Sequence, residues 1–235
     1  DKETKIEILK SLAIDYKKIN DLSKSKIEAE KILDIEKTNL WANTFLLSLA
    51  EQNEDWNYAE KKAEDLKKNK AFNGEVNLSN YTLQKGIMHF KKRNIPEAED
   101  LFRKVIKDSP EFGMPYRYLG DIKHINRDLI KAIGYWEKYM ELSPNESYLV
   151  FDRIETALFD LGRYSEVEKF YRKVLENNRQ DLNAGLRLAN VLNEKGENNA
   201  AINLIDSFID EENPSVLVML MKLKLSLPTK TPSEL

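Results

Sequence analysis

Residues 116–144 read YRYLGDIKHINRDLIKAIGYWEKYMELSP. Within this stretch Gly120, Ala132, Trp136 and Pro144 each stand 34 residues after Gly86, Ala98, Phe102 and Pro110. Small, small, aromatic and proline positions at one fixed period describe a repeated unit of two helices joined by a turn. Each position has a physical job. The small residues let the two helices of a hairpin approach closely. The aromatic fills the space between neighbouring hairpins. Proline cannot continue a helix and helps end the second one. A single unit of this kind cannot bury its own apolar face, so units stack.

The same period extends outward. Gly162 and Gly196, Val167 and Ala201, and Tyr171 and Ile205 are each 34 apart, as are Tyr16 and Ala50, Ser25 and Ala59, and Ile32 and Leu66. Six hairpins follow, at about 6–39, 40–78, 79–112, 113–147, 148–181 and 182–213, with extra residues in the second around Asn69–Val76 and the fifth offset by one. Turns are expected at Asn20-Asp21, Gln52–Asp55, Arg93-Asn94, Asn126–Asp128, and at Gly162 and Gly196, where glycine suits a left-handed helix end. A terminal helix is expected at about 214–226, after Asn213-Pro214, and a flexible tail at 227–235.

This pattern resembles the tetratricopeptide repeat, whose aromatic-x-x-Leu-Gly, Ala-x-x-x-aromatic and Pro positions are matched by Tyr116, Leu119, Gly120, Ala132, Trp136 and Pro144. Lys123 departs from it, standing where the pattern has Tyr. The resemblance implies an all-α, right-handed α-solenoid of about six repeats plus a C-terminal helix. In that fold the first helix of each hairpin lines a concave binding face.

Composition fits this reading. Apolar residues make up 41% and charged residues 33%, with only 8 glycines. A net charge of −3 does not favour nucleic acid. Without cysteine there is no disulfide framework and no thiolate metal site. No apolar run approaches the roughly 20 residues that span a bilayer. The stretch Ser215–Leu223 is short and apolar and reads as a helix packed on the last repeat, with a membrane-surface segment as the sharper alternative.

Chemistry is sparse. His89 and His124 fall on first helices of adjacent repeats, yet two scattered histidines read as packing or surface residues rather than a metal site. No phosphate loop or nucleophile elbow is present. No cofactor and no catalytic residue is expected. The candidates for function lie instead on first helices: Gln84, Tyr118, Arg153 and Arg187 at matching places, with Ile87, Arg117, Asp121 and Asn190 beside them. An arginine fork can hold a carboxylate or a peptide carbonyl, and Tyr can pack on a bound chain. The alternative is that the arginines pair with Asp121, Asp152 or Glu155 inside the groove. Chaperone-tail receptors of the repeat family grip a terminal carboxylate with Lys and Asn. Lys10, Ile14, Leu83, Ile87, Arg117 and Asp121 at the corresponding places do not reproduce that clamp.

A narrower resemblance is to the lipopolysaccharide assembly protein B family, carried by Glu54–Glu60, Leu161–Glu166 with Phe170, and Leu186–Asn190. It implies a cytoplasmic adaptor, tethered to the inner membrane through a segment this chain lacks. Such an adaptor brings a lipid A biosynthetic enzyme to a membrane protease. That family's iron module needs paired cysteines, and no ligand carries over. The expected role is therefore a non-catalytic protein-interaction scaffold. An assembly factor for a secretion or pilus machine, and an accessory domain of a larger enzyme, are the alternatives.

Overall fold

The computed structural model describes residues 1–210, 212 and 215–227. The expected break at Asn213-Pro214 and the tail beyond Leu227 lie outside the described residues. All regular elements among the described residues are helical: α1 (Lys2–Lys18), α2 (Leu22–Ile35), α3 (Leu40–Gln52), α4 (Trp56–Lys68), α5 (Leu78–Lys91), α6 (Ile95–Asp108), α7 (Gly113–Ile125), α8 (Leu129–Leu142), α9 (Phe151–Asp160), α10 (Tyr164–Asn177), α11 (Leu182–Glu194), α12 (Asn198–Asp206) and α13 (Val216–Ser226). A 3-10 helix at Pro144–Val150 leads into α9. The chain divides into two compact units, Asp1–Tyr118 and the residues from Leu119 onward.

Among the described residues, six with positive φ mark the hairpin turns: Asn20, Glu54, Arg93, Arg127, Gly162 and Gly196. They fall in pairs 34 residues apart, so the period is written into the backbone as well as the side chains. At each turn the next residue's N–H reaches back to close the preceding helix. Asp21 N bonds Tyr16 O at 2.9 Å, and Asp55 N, Asn94 N, Asp128 N, Arg163 N and Glu197 N make the matching bonds to Ala50, His89, Lys123, Leu158 and Leu192. This is the bond that closes a helix on a left-handed residue. At Asp21, Asp55 and Asp128 the closing residue also caps the next helix, its carboxylate accepting the N–H of Lys24, Tyr58 and Lys131. One residue thus ends one helix and starts another, and the turn stays short.

Packing follows the sequence pattern. In the first unit Gly86 of α5 lies under Phe102 of α6, and a Cβ there would come within 2.6 Å of the ring. In the second, Gly120 of α7 lies under Trp136 of α8, at 2.4 Å. Phe102, Trp136, Ala98 and Ala132 have no exposed surface. Burying each large ring contributes on the order of 2–3 kcal/mol. Pro96 sits in the first turn of α6, where its missing N–H leaves no bond unmade.

The terminal helix packs through Val218 and Leu225. Lys222 pairs with Asp206 of α12 at 2.7 Å, and Lys224 donates to Asn190 of α11 at 2.8 Å. This is the packing on the last repeat that the short apolar stretch suggests. Val216, Leu217, Met219, Leu220, Leu223 and Leu227 are left exposed.

Candidate protein-binding surface

The eight sequence candidates fall on four helices. Gln84 and Ile87 lie half-buried on α5, and Arg117 and Tyr118 lie on α7 within the first unit. Tyr118 is held by aromatic neighbours. Its ring stacks on Phe102 at 5.0 Å and meets the edge of Phe90 at 5.4 Å. The Arg117 guanidinium lies over the Tyr118 ring at 5.6 Å. Its Nε–H is buried and has no hydrogen-bond partner. An unmade bond at a buried donor is unfavourable.

The other four behave differently. Asp121 accepts a hydrogen bond from Trp136 Nε1 at 3.1 Å and pairs with Arg153 Nε at 3.0 Å. Arg153 Nη1 also donates to the carbonyl of Leu149. One repeat on, Glu155 accepts from the Tyr171 hydroxyl at 2.5 Å and pairs with Arg187 Nη1 at 3.2 Å. Arg187 reaches Asp152 as well, at 2.5 Å. Asn190 accepts from Lys224. Each cluster repeats one design. A carboxylate on a first helix takes a bond from the aromatic of its own second helix, then an ion pair from an arginine on the following first helix. Arg153 and Arg187 therefore fasten successive first helices, which is the internal pairing weighed in the sequence.

The electrostatics agree. Burial and the hydrogen bond to Glu155 hold the Tyr171 phenol well above its usual range, so it stays a donor. Burial opposes the charge on Arg187, but Asp152 and Tyr171 together more than offset it and its pKa is raised.

The first unit ties its helices through other residues. Tyr58 donates to Glu30 at 2.7 Å and Tyr81 to Glu51 at 2.6 Å, while Lys85 pairs with Glu60 at 2.5 Å. Lys62 is buried and donates to Asn43 at 3.2 Å and Asp65 at 2.8 Å. Burial and the bonds to Glu30 and Glu51 raise Tyr58 and Tyr81 above the usual phenol range. None of these residues was singled out as functional from sequence, and their placement argues for tethers rather than a site.

His89 Nδ1 lies 3.1 Å from the Asn94 amide, and His124 packs at 5.7 Å from Trp136. Among the described residues no group of three His, Cys, Asp or Glu side chains could hold a metal ion. No helix among them is long and apolar enough to cross a membrane.

Close-packed hairpins recur at 34 residues, with Gly86 and Gly120 under Phe102 and Trp136 and a left-handed residue at each turn. This is the helix–turn–helix arrangement that the tetratricopeptide pattern implies. No family model matches the chain, and no curated protein matches its sequence. Solved structures are similar in fold. PilF of Pseudomonas aeruginosa is 13% identical, with 97% of this chain and 85% of that chain covered and a TM-score of 0.45. A tetratricopeptide repeat protein of Parabacteroides merdae is 15% identical, with 96% and 87% covered and a TM-score of 0.47. MamA of Desulfovibrio magneticus, from residue 41 onward, is 16% identical, with 76% and 97% covered and a TM-score of 0.47. With these TM-scores below 0.5, the likeness carries no argument about partners.

Proposed function

We propose that the chain is a non-catalytic scaffold that binds a protein segment along the first helices of its N-terminal unit, on the row Gln84, Ile87, Arg117 and Tyr118. The observation that carries this reading is Arg117. It is the arginine of the candidate set with a buried, unbonded donor, whereas Arg153 and Arg187 hold carboxylates of their own unit. A guanidinium over an aromatic ring suits a partner carboxylate or peptide carbonyl. Gln84 offers an amide for backbone bonds and Ile87 an apolar contact. The scaffold acts by holding partners together and raising their effective concentration, without new chemistry.

The test is quantitative affinity capture with the chain and with Arg117→Glu. The expected result is at least a tenfold loss of bound partner, about 1.4 kcal/mol, with helicity unchanged. Equal capture by both would sink the reading.

The narrower role, bringing a lipid A enzyme to a membrane protease, rests on the resemblance in Glu54–Glu60, Leu161–Glu166 and Leu186–Asn190. Capture of a membrane protease together with a lipid A enzyme, both lost with Arg117→Glu, would support it. Secretion or pilus components in their place would overturn it in favour of an assembly factor.

A further inference from the structure

A cavity of about 240 Å³ opens in the C-terminal unit where α8 ends, the 3-10 helix begins and α10 ends. Its walls are second helices rather than first ones. Met140, Pro144, Phe170 and Val174 give it an apolar lining. The 3-10 helix contributes Ser147, which is only 6% exposed. The Ser147 hydroxyl makes no hydrogen bond to any described residue. A buried hydroxyl without a partner is unfavourable, so a polar atom entering the cavity gains a bond there.

The charges around the cavity are mostly negative. Glu137, Glu141 and Asp181 border it, against one cation, Lys173. Asp181 caps α11 by accepting the N–H of Ala184, and Glu141 pairs with Lys138 at 2.8 Å. Glu137 is exposed and forms no hydrogen bond or ion pair among the described residues. Lys173 is also exposed, and its long stem lets the ammonium turn to water. Helices α8 and α10 end here, at Leu142 and Asn177, which brings the negative ends of both dipoles to the cavity. A cation is therefore favoured over an anion.

Size narrows the occupant. Drug-sized ligands fill pockets of roughly 300 Å³ or more. This smaller cavity suits a single side chain. We propose that it seats an apolar side chain of a partner protein whose neighbouring residue is arginine or lysine. Glu137 holds that cation, and Ser147 bonds the backbone of the segment. The site lies in the other unit from the row Gln84, Ile87, Arg117 and Tyr118, and the two proposals fail independently.

The test is an NMR titration of the amide-labelled full chain with two capped dipeptides, acetyl-Arg-Leu-amide and acetyl-Glu-Leu-amide. The arginine peptide should give saturable shifts at the amides of Ser147, Phe170 and Val174, and should bind about fivefold more tightly than the glutamate peptide. Glu137→Gln changes an exposed, unbonded side chain, so the fold should stand and the preference should vanish. Ser147→Ala should weaken the arginine peptide by about twofold or more. Arg117→Glu should bind it as the wild type does, which separates this site from the first-helix row. No saturable shift at these amides, equal affinity for the two peptides, or tighter binding of the glutamate peptide would each overturn the proposal. So would a preference for arginine that survives Glu137→Gln.

Discussion

In the C-terminal unit, Asp121 and Glu155 each sit on a first helix, take a bond from Trp136 or Tyr171, and hold Arg153 or Arg187 of the next first helix. In the N-terminal unit the residue one period before Asp121 is Ile87, and Phe102, one period before Trp136, has no group to donate. There the ties are Tyr81 to Glu51 and Lys85 to Glu60, and Arg117 is left without an acceptor for its Nε–H. Arg153 and Arg187 stand at matching places, each 32 residues after the carboxylate it holds, whereas Tyr118 fills that place one repeat earlier and Arg117 precedes it, with Lys85 standing 32 residues before Arg117. An arginine at the matching place, 32 residues after a carboxylate, is a tether; Arg117 has neither the place nor the carboxylate.

This contrast can be broken most forcefully at Glu155. Removing it in Glu155→Ala strands the buried Tyr171 hydroxyl and one side of Arg187, and should lower stability by about 3 kcal/mol. Glu51→Ala, which strands only Tyr81, should lower it by about 1 kcal/mol. Urea unfolding read at Trp136 in a Trp41→Phe/Trp56→Phe background reports the C-terminal unit, and Trp41 and Trp56 in Trp136→Phe report the other. Equal losses would remove the distinction between the units.

Arg187→Glu places a carboxylate beside Asp152 and Glu155. With the side chain about a third exposed and the repulsion partly screened, the expected loss is about 2 kcal/mol. Arg117→Met should change stability by less than about 0.5 kcal/mol, because it removes a donor that had no bond. A thermal-denaturation series reads both. A large loss at Arg117 would mean that it, too, is structural.

Smaller effects test what the units share. Glu54 and Arg127 hold left-handed backbone at φ 53° and 60°. Glu54→Gly and Arg127→Gly should each stabilise by about 0.5–1 kcal/mol by relieving that strain. The gain at Arg127 should be the lesser, since its ion pair with Asp160 is lost. Destabilisation at either site would contradict the turn geometry.

The smallest expected effect is on acid sensitivity. Hydrogen bonds from Lys131, Lys138, Arg163 and Lys195 lower the carboxyl pKa of Asp128, Glu141, Glu166 and Glu168 in the C-terminal unit, and in the other unit the backbone N–H and side chain of Lys24 lower that of Asp21. A carboxyl group with a depressed folded pKa stabilises fully above its unfolded value and loses that contribution as pH falls through the folded one. Below about pH 4 the Trp136 signal should therefore shift its urea midpoint to lower denaturant. A midpoint that does not move would count against these pairs. The groups are exposed, so the shift is modest.

The repeat and its turns were legible because they depend on local constraints. A residue at positive φ favours Gly or Asn, and a helix crossing under an aromatic favours Gly, as at Gly120. The 3-10 helix at Pro144–Val150 was not legible, since the one-residue offset of the fifth hairpin says that something is inserted but not what shape it takes. Trp136 and Tyr171 were read as space-filling rings. Their bonds to Asp121 and Glu155 depend on which rotamers meet across a helix pair, and no spacing rule fixes that. The eight candidate residues were all placed on first helices by the register. Which of them were already engaged depended on side-chain reach between repeats, and so became visible only in three dimensions.

The most direct test of the account compares partner capture by the wild-type chain, Arg117→Glu and Arg187→Glu at a temperature where all three are folded. The account predicts that Arg117→Glu loses bound partner at least tenfold, while Arg187→Glu captures as the wild type does despite its lower melting temperature. Loss of capture with Arg187→Glu and retention with Arg117→Glu would contradict it and move the binding surface to the C-terminal unit.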